Sequence, residues 1–217
     1  MNIEKSLGKQ TKKIIQNINI CASACIAGPK EGKGPLGNTF DEVLENSKDN
    51  QETWEKSESV LQQKTISKLI EKSGKSYDEI QGILAGDLLN QCAGSHYSIR
   101  DFNLPFLGLY GACSTMAESI LLGSMLADGD FLNNIICGTS SHFYSSERQF
   151  RVPIEYGGTT PPTSQVTVTG SGMVMLSKNS TGPFVNMVTI GKIVDKGIKD
   201  PANMGAAMAP VNVKDRL

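Results

Sequence analysis

The sequence carries almost no net charge and is poor in aromatic residues and histidine. Its 21 basic residues are balanced by 22 acidic ones, 6% of the residues are aromatic, and the two histidines are His96 and His142. A nucleic-acid-binding or anionic-membrane-binding surface needs an excess of positive charge. The composition therefore gives no support to either partner and leaves few residues for imidazole chemistry.

A disulfide framework and long hydrophobic runs are missing as well. Five cysteines are an odd number without framework spacing, which favours a reducing compartment. Cys21 and Cys25 lack a second pair of ligands, which argues against a zinc site. No stretch approaches the roughly 20 apolar residues of a membrane span, and Gln16, Asn17 and Asn19 interrupt the N-terminal run that most resembles a signal peptide. We therefore expect contact with a membrane to require partner proteins.

What the sequence does contain is typical of an ordinary globular protein. Its 217 residues can bury a sizeable core, and they include 39% hydrophobic residues and 22 glycines. Short apolar runs alternate with amphipathic segments, which predicts an α/β fold with a mixed sheet and helices on both faces. The predicted strands lie within residues 11–27, 83–85, 104–110, 134–139, 165–176 and 186–194, and the clearest helices within 51–73 and 114–128.

Residues 104–130, LPFLGLYGACSTMAESILLGSMLADGD, predict a strand, a tight turn and a helix. Leu104–Tyr110 is short and apolar, as in a strand buried on both faces. Ser114 and Thr115 can cap the free N–H groups of a helix start, and Glu118 places a carboxylate in the first turn, where the helix dipole favours it.

Cys113 therefore lies at a helix N-terminus, directly after Gly111 and Ala112. Unpaired N–H groups and the positive end of the helix dipole favour a thiolate there, and the same N–H groups can hold an anion. The alternative is that Cys113 is only a small residue that fits a tight turn, since free cysteine is usually buried.

Polar residues follow three of the predicted strands. Asp87 follows the strand that ends near residue 85, Cys113 follows the next strand, and Ser140, Ser141 and His142 follow the strand 134–139. Because ligands bind at the carboxyl edge of open α/β sheets, we expect these residues to converge there. For His142 the alternative is a capping or surface histidine.

The polar loop from residue 143 to 162 is long enough to indicate a function. Arg148 and Arg151 can present planar guanidinium groups to a carboxylate ligand. Pairing of these arginines with Glu147 or Glu155 is the structural alternative.

Six segments resemble, in order and over nearly the whole chain, the stage V sporulation protein AD family of spore-forming Firmicutes, within the thiolase and ketoacyl-synthase superfamily. They are AGPKEGKGPLG (27–37), AGDLLNQ (85–91), GACST (111–115), TSSHFYSSERQFRVPIEYGG (139–158), TVTGSG (167–172) and MGAAMAP (204–210).

The resemblance implies a thiolase-like α/β fold. Residues 1–183 would form its N-terminal αβαβα half with a mixed sheet, and residues 184–217 a linker and the start of a second half. That second half would be largely missing, which is expected of a fragment or of a divergent short form.

The resemblance also implies that the protein binds dipicolinic acid, pyridine-2,6-dicarboxylic acid, and assists its uptake into the developing spore. The partners would be other proteins of the dipicolinate-uptake operon, with a homodimer as a superfamily habit, and the location would be the spore, peripheral at the inner membrane. No cofactor or protein-bound metal is expected, and whether calcium accompanies the ligand stays open. The expected ligand-binding residues are Asp87, Gly111, Cys113, Ser114, Ser140, Ser141, His142, Arg148 and Arg151.

Whether the protein is an enzyme stays open, with a non-catalytic binding protein as the first hypothesis. Condensing enzymes of the superfamily use the cysteine of this strand–turn–helix segment as acyl acceptor. They combine it with His and Asn, or with a second His, from the C-terminal half. Neither His96 nor His142 lies in a motif that matches the catalytic histidine of that C-terminal half. The alternatives are an acyltransferase or ketoacyl-synthase-like enzyme with Cys113 as nucleophile, and a purely structural scaffold.

If this chain holds one half of a two-half fold, it should expose a large apolar face. We therefore expect the 217-residue chain to self-associate at micromolar concentration in sedimentation-velocity experiments. A stable monomer over the whole concentration range would count against the half-fold interpretation.

Overall fold

The computed structural model describes residues 5–147, 150, 166–200 and 203–214. Its helices are α1 (Pro29–Gly32), α2 (Trp54–Ser73), α3 (Ala93–Ile99), α4 (Thr115–Asp128) and α5 (Met204–Lys214). Its strands are β1 (Thr11–Lys13), β2 (Ile18–Ala27), β3 (Glu42–Val43), β4 (Gly82–Gly86), β5 (Phe106–Gly108), β6 (Ile135–Ser141), β7 (Gly170–Lys178) and β8 (Met187–Thr189).

Six of the strands form one mixed sheet, in the order β3-β2-β7-β6-β4-β5. Strands β4, β5 and β6 are parallel to one another, and β2 is parallel to β3. Strand β7 is antiparallel to both of its neighbours, β2 and β6. The predicted α/β class with a mixed sheet is therefore confirmed.

Helices cover both faces of this sheet, as predicted. Alternate strand residues point to opposite faces, so Ile83 and Ile136 pack with Leu69 of α2 in one apolar cluster. Leu84 and Ile135, one position away in each strand, pack in a second cluster on the side of α4. The two clusters fix which helix lies on which face.

Helix α2 forms as the sequence predicts. The hydroxyl of Thr53 accepts a hydrogen bond from a first-turn amide, and Gly74 ends the helix with a φ of 65°, a conformation that glycine adopts without strain. Leu61, Thr65 and Leu69, spaced by about one helical turn each, are all buried.

The prediction of a strand buried on both faces at residues 104–110 was wrong. Strand β5 covers only Phe106–Gly108 and lies at the edge of the sheet, paired with β4 alone among the described strands. The side chain of Leu107 is 50% exposed. An apolar run of this length does not reveal whether a strand is central or at an edge.

Strand β8 is also shorter than the predicted run 186–194, and it lies outside the main sheet. It pairs antiparallel with β1 in a separate two-stranded ribbon. A segment after residue 183 thus contacts the start of the chain, and the domain boundary at residue 183 stays a prediction. Several apolar side chains are exposed, including Phe131 just after α4 and Ile193 after β8.

The last residue of α4, Asp128, anchors the N-terminal segment. Its nearly buried carboxylate accepts hydrogen bonds of 2.7 Å from the backbone amides of Ile15 and Gln16, and one of 2.6 Å from the ammonium group of Lys5. Burial opposes ionisation of this carboxyl, but these hydrogen bonds outweigh the burial and lower its pKa. Asp128 therefore joins the segment that leads into β2 to the C-terminal end of α4.

We expect Asp128→Ala to lower the free energy of unfolding by about 2–3 kcal/mol, because it leaves two amides and an ammonium group without their acceptor. Urea denaturation monitored by circular dichroism measures this loss. The control is Asp101→Ala, which removes an exposed carboxylate beside Arg100 and should cost less than about 1 kcal/mol. Equal losses in the two variants would contradict the anchoring role.

Candidate functional site

The carboxyl ends of β2, β4, β5 and β6 meet at one edge of the sheet, as their shared direction requires. Asp87 follows β4, Cys113 follows β5 and His142 follows β6, so the predicted placement of all three at this edge is confirmed. Their side chains have different surroundings, however. Only Cys113 is exposed, whereas Asp87 and His142 are fully buried.

A close backbone approach fixes the path of the chain into the turn before α4. The amide of Leu109 donates a 2.9 Å hydrogen bond to the carbonyl of Ala85. A Cβ atom at Gly86 would lie only 1.8 Å from the carbonyl oxygen of Leu109. Glycine is therefore required at position 86 for β4 and the segment after β5 to run side by side.

The turn itself, Gly111–Ser114, is held by hydrogen bonds of its own, and we call it the elbow. The hydroxyl of Ser114 donates to the carbonyl of Gly111 at 2.7 Å, and that of Thr115 accepts from the amide of Gly111 at 3.2 Å. The predicted cap is thus wrong for Ser114, whose side chain caps no amide of α4. Ala112 has a φ of 49°, an uncommon conformation for a residue with a Cβ atom.

Cys113 is exposed in the single 3-10 turn Ala112–Ser114 that leads into α4. Cys92 and Cys137, by contrast, are buried, and burial raises the pKa of both thiols. The thiol of Cys92 donates to the carbonyl of Leu109 at 3.1 Å and so supports the segment before the elbow. Among these three cysteines, Cys113 alone is placed to meet a reagent or a ligand.

Asp87 organises the start of α3. One carboxylate oxygen accepts the amide of Leu89 at 2.8 Å, and the other accepts both the amide and the hydroxyl of Ser95 at 2.6 Å. Three donors in a buried site satisfy this carboxylate within the protein. Its predicted ligand-binding role stays a prediction, and the structure shows a positioning role.

His142 likewise has partners within the protein. One ring nitrogen, Nε2, lies 2.7 Å from the carbonyl of Ser47, and the other, Nδ1, accepts the amide of Tyr144 at 3.2 Å. These contacts require a neutral ring that carries its proton on Nε2. Burial lowers the pKa of His142 and favours this neutral form. The capping alternative left open by the sequence therefore fits the geometry.

The two serines before His142 point to opposite faces of the sheet. Ser140 is buried and donates to the carboxyl group of Glu58 at 3.2 Å. Ser141 donates to the carbonyl of Val168, just before β7. Both hydroxyls thus have hydrogen-bond partners outside the elbow.

Sequence reasoning missed Glu58, a fully buried carboxyl group on α2. Burial raises its pKa to about 8, and the negative charge of Asp87 contributes. Glu58 lies four residues after Trp54 and three before Leu61, so it shares the buried face of α2. That spacing was the signal, since an acidic residue on an apolar face marks a buried ionisable group.

Arg148 and Arg151 lie outside the described residues, so their predicted contact with a carboxylate stays a prediction. Glu147 is described, and its carboxylate accepts the amide of Asn90 at 2.9 Å. Its own amide donates to the carbonyl of Leu88 at 2.9 Å. Glu147 thus ties the end of β6 to the segment between β4 and α3.

A groove of about 790 Å³ lies between α2 and α3. Tyr97 of α3 and Arg100, the residue after α3, line one wall, and Ser145 and Glu147 line one end. Within the described part of the chain, no group of three or more His, Cys, Asp or Glu side chains is arranged to hold a metal ion. In the same part, no helix combines the length and apolar character needed to cross a bilayer.

We expect Cys113 to react with iodoacetamide about ten times faster than Cys92 or Cys137 in the folded protein, because those thiols are buried. Peptide mass spectrometry after short labelling pulses measures each rate. Cys113→Ala should remove the fast phase, and Cys92→Ala should leave it unchanged. Faster labelling of either buried thiol would contradict the assignment.

Two solved structures resemble the fold at low sequence identity. The 3-oxoacyl-[acyl-carrier-protein] synthase III from Aquifex aeolicus VF5 is 11% identical, with a TM-score of 0.49 over 76% of this chain and 55% of its own. The priming β-ketosynthase of the R1128 polyketide biosynthetic pathway is 8% identical, with a TM-score of 0.49 over 82% of this chain and 53% of its own.

The sequence comparisons reach across almost the entire chain. Stage V sporulation protein AD of Bacillus subtilis (strain 168) is 43% identical over 206 residues, which cover 95% of this chain and 61% of that protein. The chain thus spans about three-fifths of the length of this curated relative. The sequence model of the family "Stage V sporulation protein AD" matches residues 8–215. This protein therefore belongs to the stage V sporulation protein AD family.

Proposed function

We propose that this sporulation protein binds dipicolinic acid and assists its uptake into the developing spore, with the elbow as the binding site. The observation that carries the proposal is the exposure of Cys113 and Ser114 at the N-terminus of α4, within a segment that the family match includes. Gly111 belongs to the same elbow. The other predicted residues that the structure describes, Asp87, Ser140, Ser141 and His142, have hydrogen-bond partners elsewhere at the sheet edge.

The chemistry of the elbow suits a carboxylate. The amides of Ser114 and Thr115 already donate to the carbonyls of Gly111 and Ala112. The positive end of the helix dipole still favours a negative charge at this end of α4. A Cβ atom at Gly111 would lie 2.6 Å from the hydroxyl oxygen of Ser114, so glycine lets this side chain fold back onto the turn. A rigid planar dicarboxylate loses little conformational freedom on binding there.

Glu118 gives calcium a physical role in this proposal. Its carboxylate lies in the first turn of α4, 2.3 Å from the position of a Cβ atom at Gly111. A bare dicarboxylate at the elbow meets this negative charge, whereas the one-to-one complex of the ligand with Ca²⁺ carries no net charge. We therefore expect calcium dipicolinate to bind more tightly than dipicolinate alone.

The exposure of Cys113 favours one second candidate, an acyltransferase or ketoacyl-synthase-like activity in which this thiol accepts an acyl group. An accessible thiol at a helix N-terminus can attack a thioester. Claisen chemistry needs further groups that polarise the carbonyl, and His142 has its ring nitrogens engaged with Ser47 and Tyr144. Binding without turnover is therefore the first proposal.

The cellular setting belongs to the same proposal. The family name is that of a sporulation protein, and we propose that the protein lies peripherally at the inner membrane of the spore. We propose that this position depends on other proteins of the dipicolinate-uptake operon and that the protein acts as a homodimer.

Calorimetric titration of dipicolinate, with and without calcium, tests this function. Cys113→Ala should bind within a few fold of the wild type, while Cys113→Trp should lose about tenfold or more in affinity, because the larger side chain fills the elbow. Glu118→Gln should strengthen binding in the absence of calcium. Cys25→Ala, a half-buried cysteine of β2, is the matched control.

The Bacillus subtilis relative serves as a full-length reference. Binding to the relative but not to this chain would show that the site needs sequence beyond the matched 61%. Binding to both that Cys113→Trp leaves unchanged would refute the elbow as the site. Turnover of an acyl-thioester that disappears in Cys113→Ala would establish the enzymatic alternative instead.

A further inference from the structure

Glu58 joins helix α2 to the last part of strand β6 and to the segment that follows it. One carboxyl oxygen accepts the hydroxyl of Ser140, the second-last residue of β6, at 3.2 Å. The other makes a short hydrogen bond with the hydroxyl of Ser145. Ser145 belongs to the segment His142–Glu147, which we call the β6 turn. One buried carboxyl group thus holds the β6 turn against the helix.

Glu58 and Asp87 are buried carboxyl groups that interact electrostatically, so both cannot carry a charge without cost. Asp87 accepts two amides and one hydroxyl, so it is the ionised member. Glu58, also fully buried, is stable in its neutral form beside it, since a second negative charge away from water is expensive. The proton of Glu58 has an acceptor in Ser145, whose hydroxyl in turn lies 3.3 Å from the carbonyl of His142.

Solvent comes close to Glu58 at the β6 turn. Ser145 contacts Glu58, yet it also lines the groove between α2 and α3, together with Glu147. Tyr144, between His142 and Ser145, is 50% exposed. Water can therefore reach Glu58 when the β6 turn moves away from α2.

We propose that neutral Glu58 holds the β6 turn against α2, and that loss of its proton releases the turn and opens that end of the groove. The groups that act electrostatically on Glu58 from its surroundings are Asp87, at the end of β4, and Glu55, on α2 itself. Both are acidic and oppose ionisation. His142, in the turn, is neutral, and its own titration falls on the acid side because burial lowers its pKa.

The single tryptophan of the chain reports on this contact directly. Trp54, at the start of α2, stacks on Tyr144 of the β6 turn with ring centroids 4.5 Å apart, and its ring lies 5.4 Å from that of His142. Separation of the turn from α2 removes the stacking and exposes the indole to solvent.

The test is acrylamide quenching of Trp54 fluorescence between pH 5.5 and 9.5. In the wild type the quenching constant should rise at least about twofold in a transition centred near pH 8, the value about which Glu58 loses its proton, with an unchanged far-UV circular dichroism spectrum. The sign follows from the raised pKa: the neutral, closed form is complete at low pH and is lost as the pH rises.

Glu58→Gln should keep the low quenching constant at every pH, because the amide is neutral and of similar shape. Glu55→Gln, one turn earlier and exposed, should retain the transition. Ser145→Ala removes the partner in the turn and should show high quenching already at pH 6, which keeps the test decisive if Glu58→Gln fails to fold. A flat wild-type curve, or the same transition in Glu58→Gln, overturns the proposal.

Hydrogen exchange gives an independent readout on the full chain. The amides of Ser145 and Ser146 both donate to the carbonyl of His142. After correction for intrinsic rates, they should exchange about tenfold faster at pH 9 than at pH 6.5 in the wild type, and equally at both values in Glu58→Gln. A tenfold change that persists in Glu58→Gln refutes the role of this carboxyl group.

Discussion

Polar side chains are buried at the carboxyl edge of the sheet only because they find hydrogen-bond partners within the protein. Asp87 holds the start of α3, Ser140 contacts Glu58 of α2, and His142 joins Ser47 to Tyr144. Each of these contacts links a strand end to a different element. Removing one member leaves its partner unsatisfied in a buried site, which costs more than the hydrogen bond itself contributes.

This requirement separates two kinds of residue at the same edge. Asp87, Ser140 and His142 are hydrogen-bonded to neighbouring elements. The elbow lies beside them because of the close backbone approach at Gly86, and its Cys113 is exposed to solvent. A rigid support behind an exposed turn is a common way to preorganise a binding site. The family match identifies the chain as a sporulation protein. The ligand that we propose for the elbow is small, planar and acidic.

The sequence predicted the parts of the fold that depend on local patterns. The spacing of Leu61, Thr65 and Leu69 identified α2, and the parallel direction of successive strands placed Asp87, Cys113 and His142 at one edge. The sequence did not predict features that depend on which other segment of the chain packs or pairs beside a given one. Whether residues 104–110 form a central or an edge strand is decided by what pairs beside them. Which residues of the edge stay exposed is decided in the same way.

Glu58 shows a further limit of reading a sequence. Its position on the buried face of α2 was visible in the spacing, but the meaning of that position depends on Asp87, 29 residues later, and on serines more than 80 residues later. Contacts of such sequence separation form only in the assembled sheet. The charge state of Glu58 is therefore a property of the fold rather than of its segment.

The antiparallel strand β7 lies between β2 and β6, so the two parts of the sheet meet only through a strand that is made late. On the ribosome, β2 and β6 wait for residues 170–178 before their inner edges are paired. At roughly 5–20 residues per second, the chain from residue 141 to residue 178 takes several seconds to appear. Until then the inner edges of β2 and β6 have no partner in the chain, and an unpaired strand edge can pair with other chains.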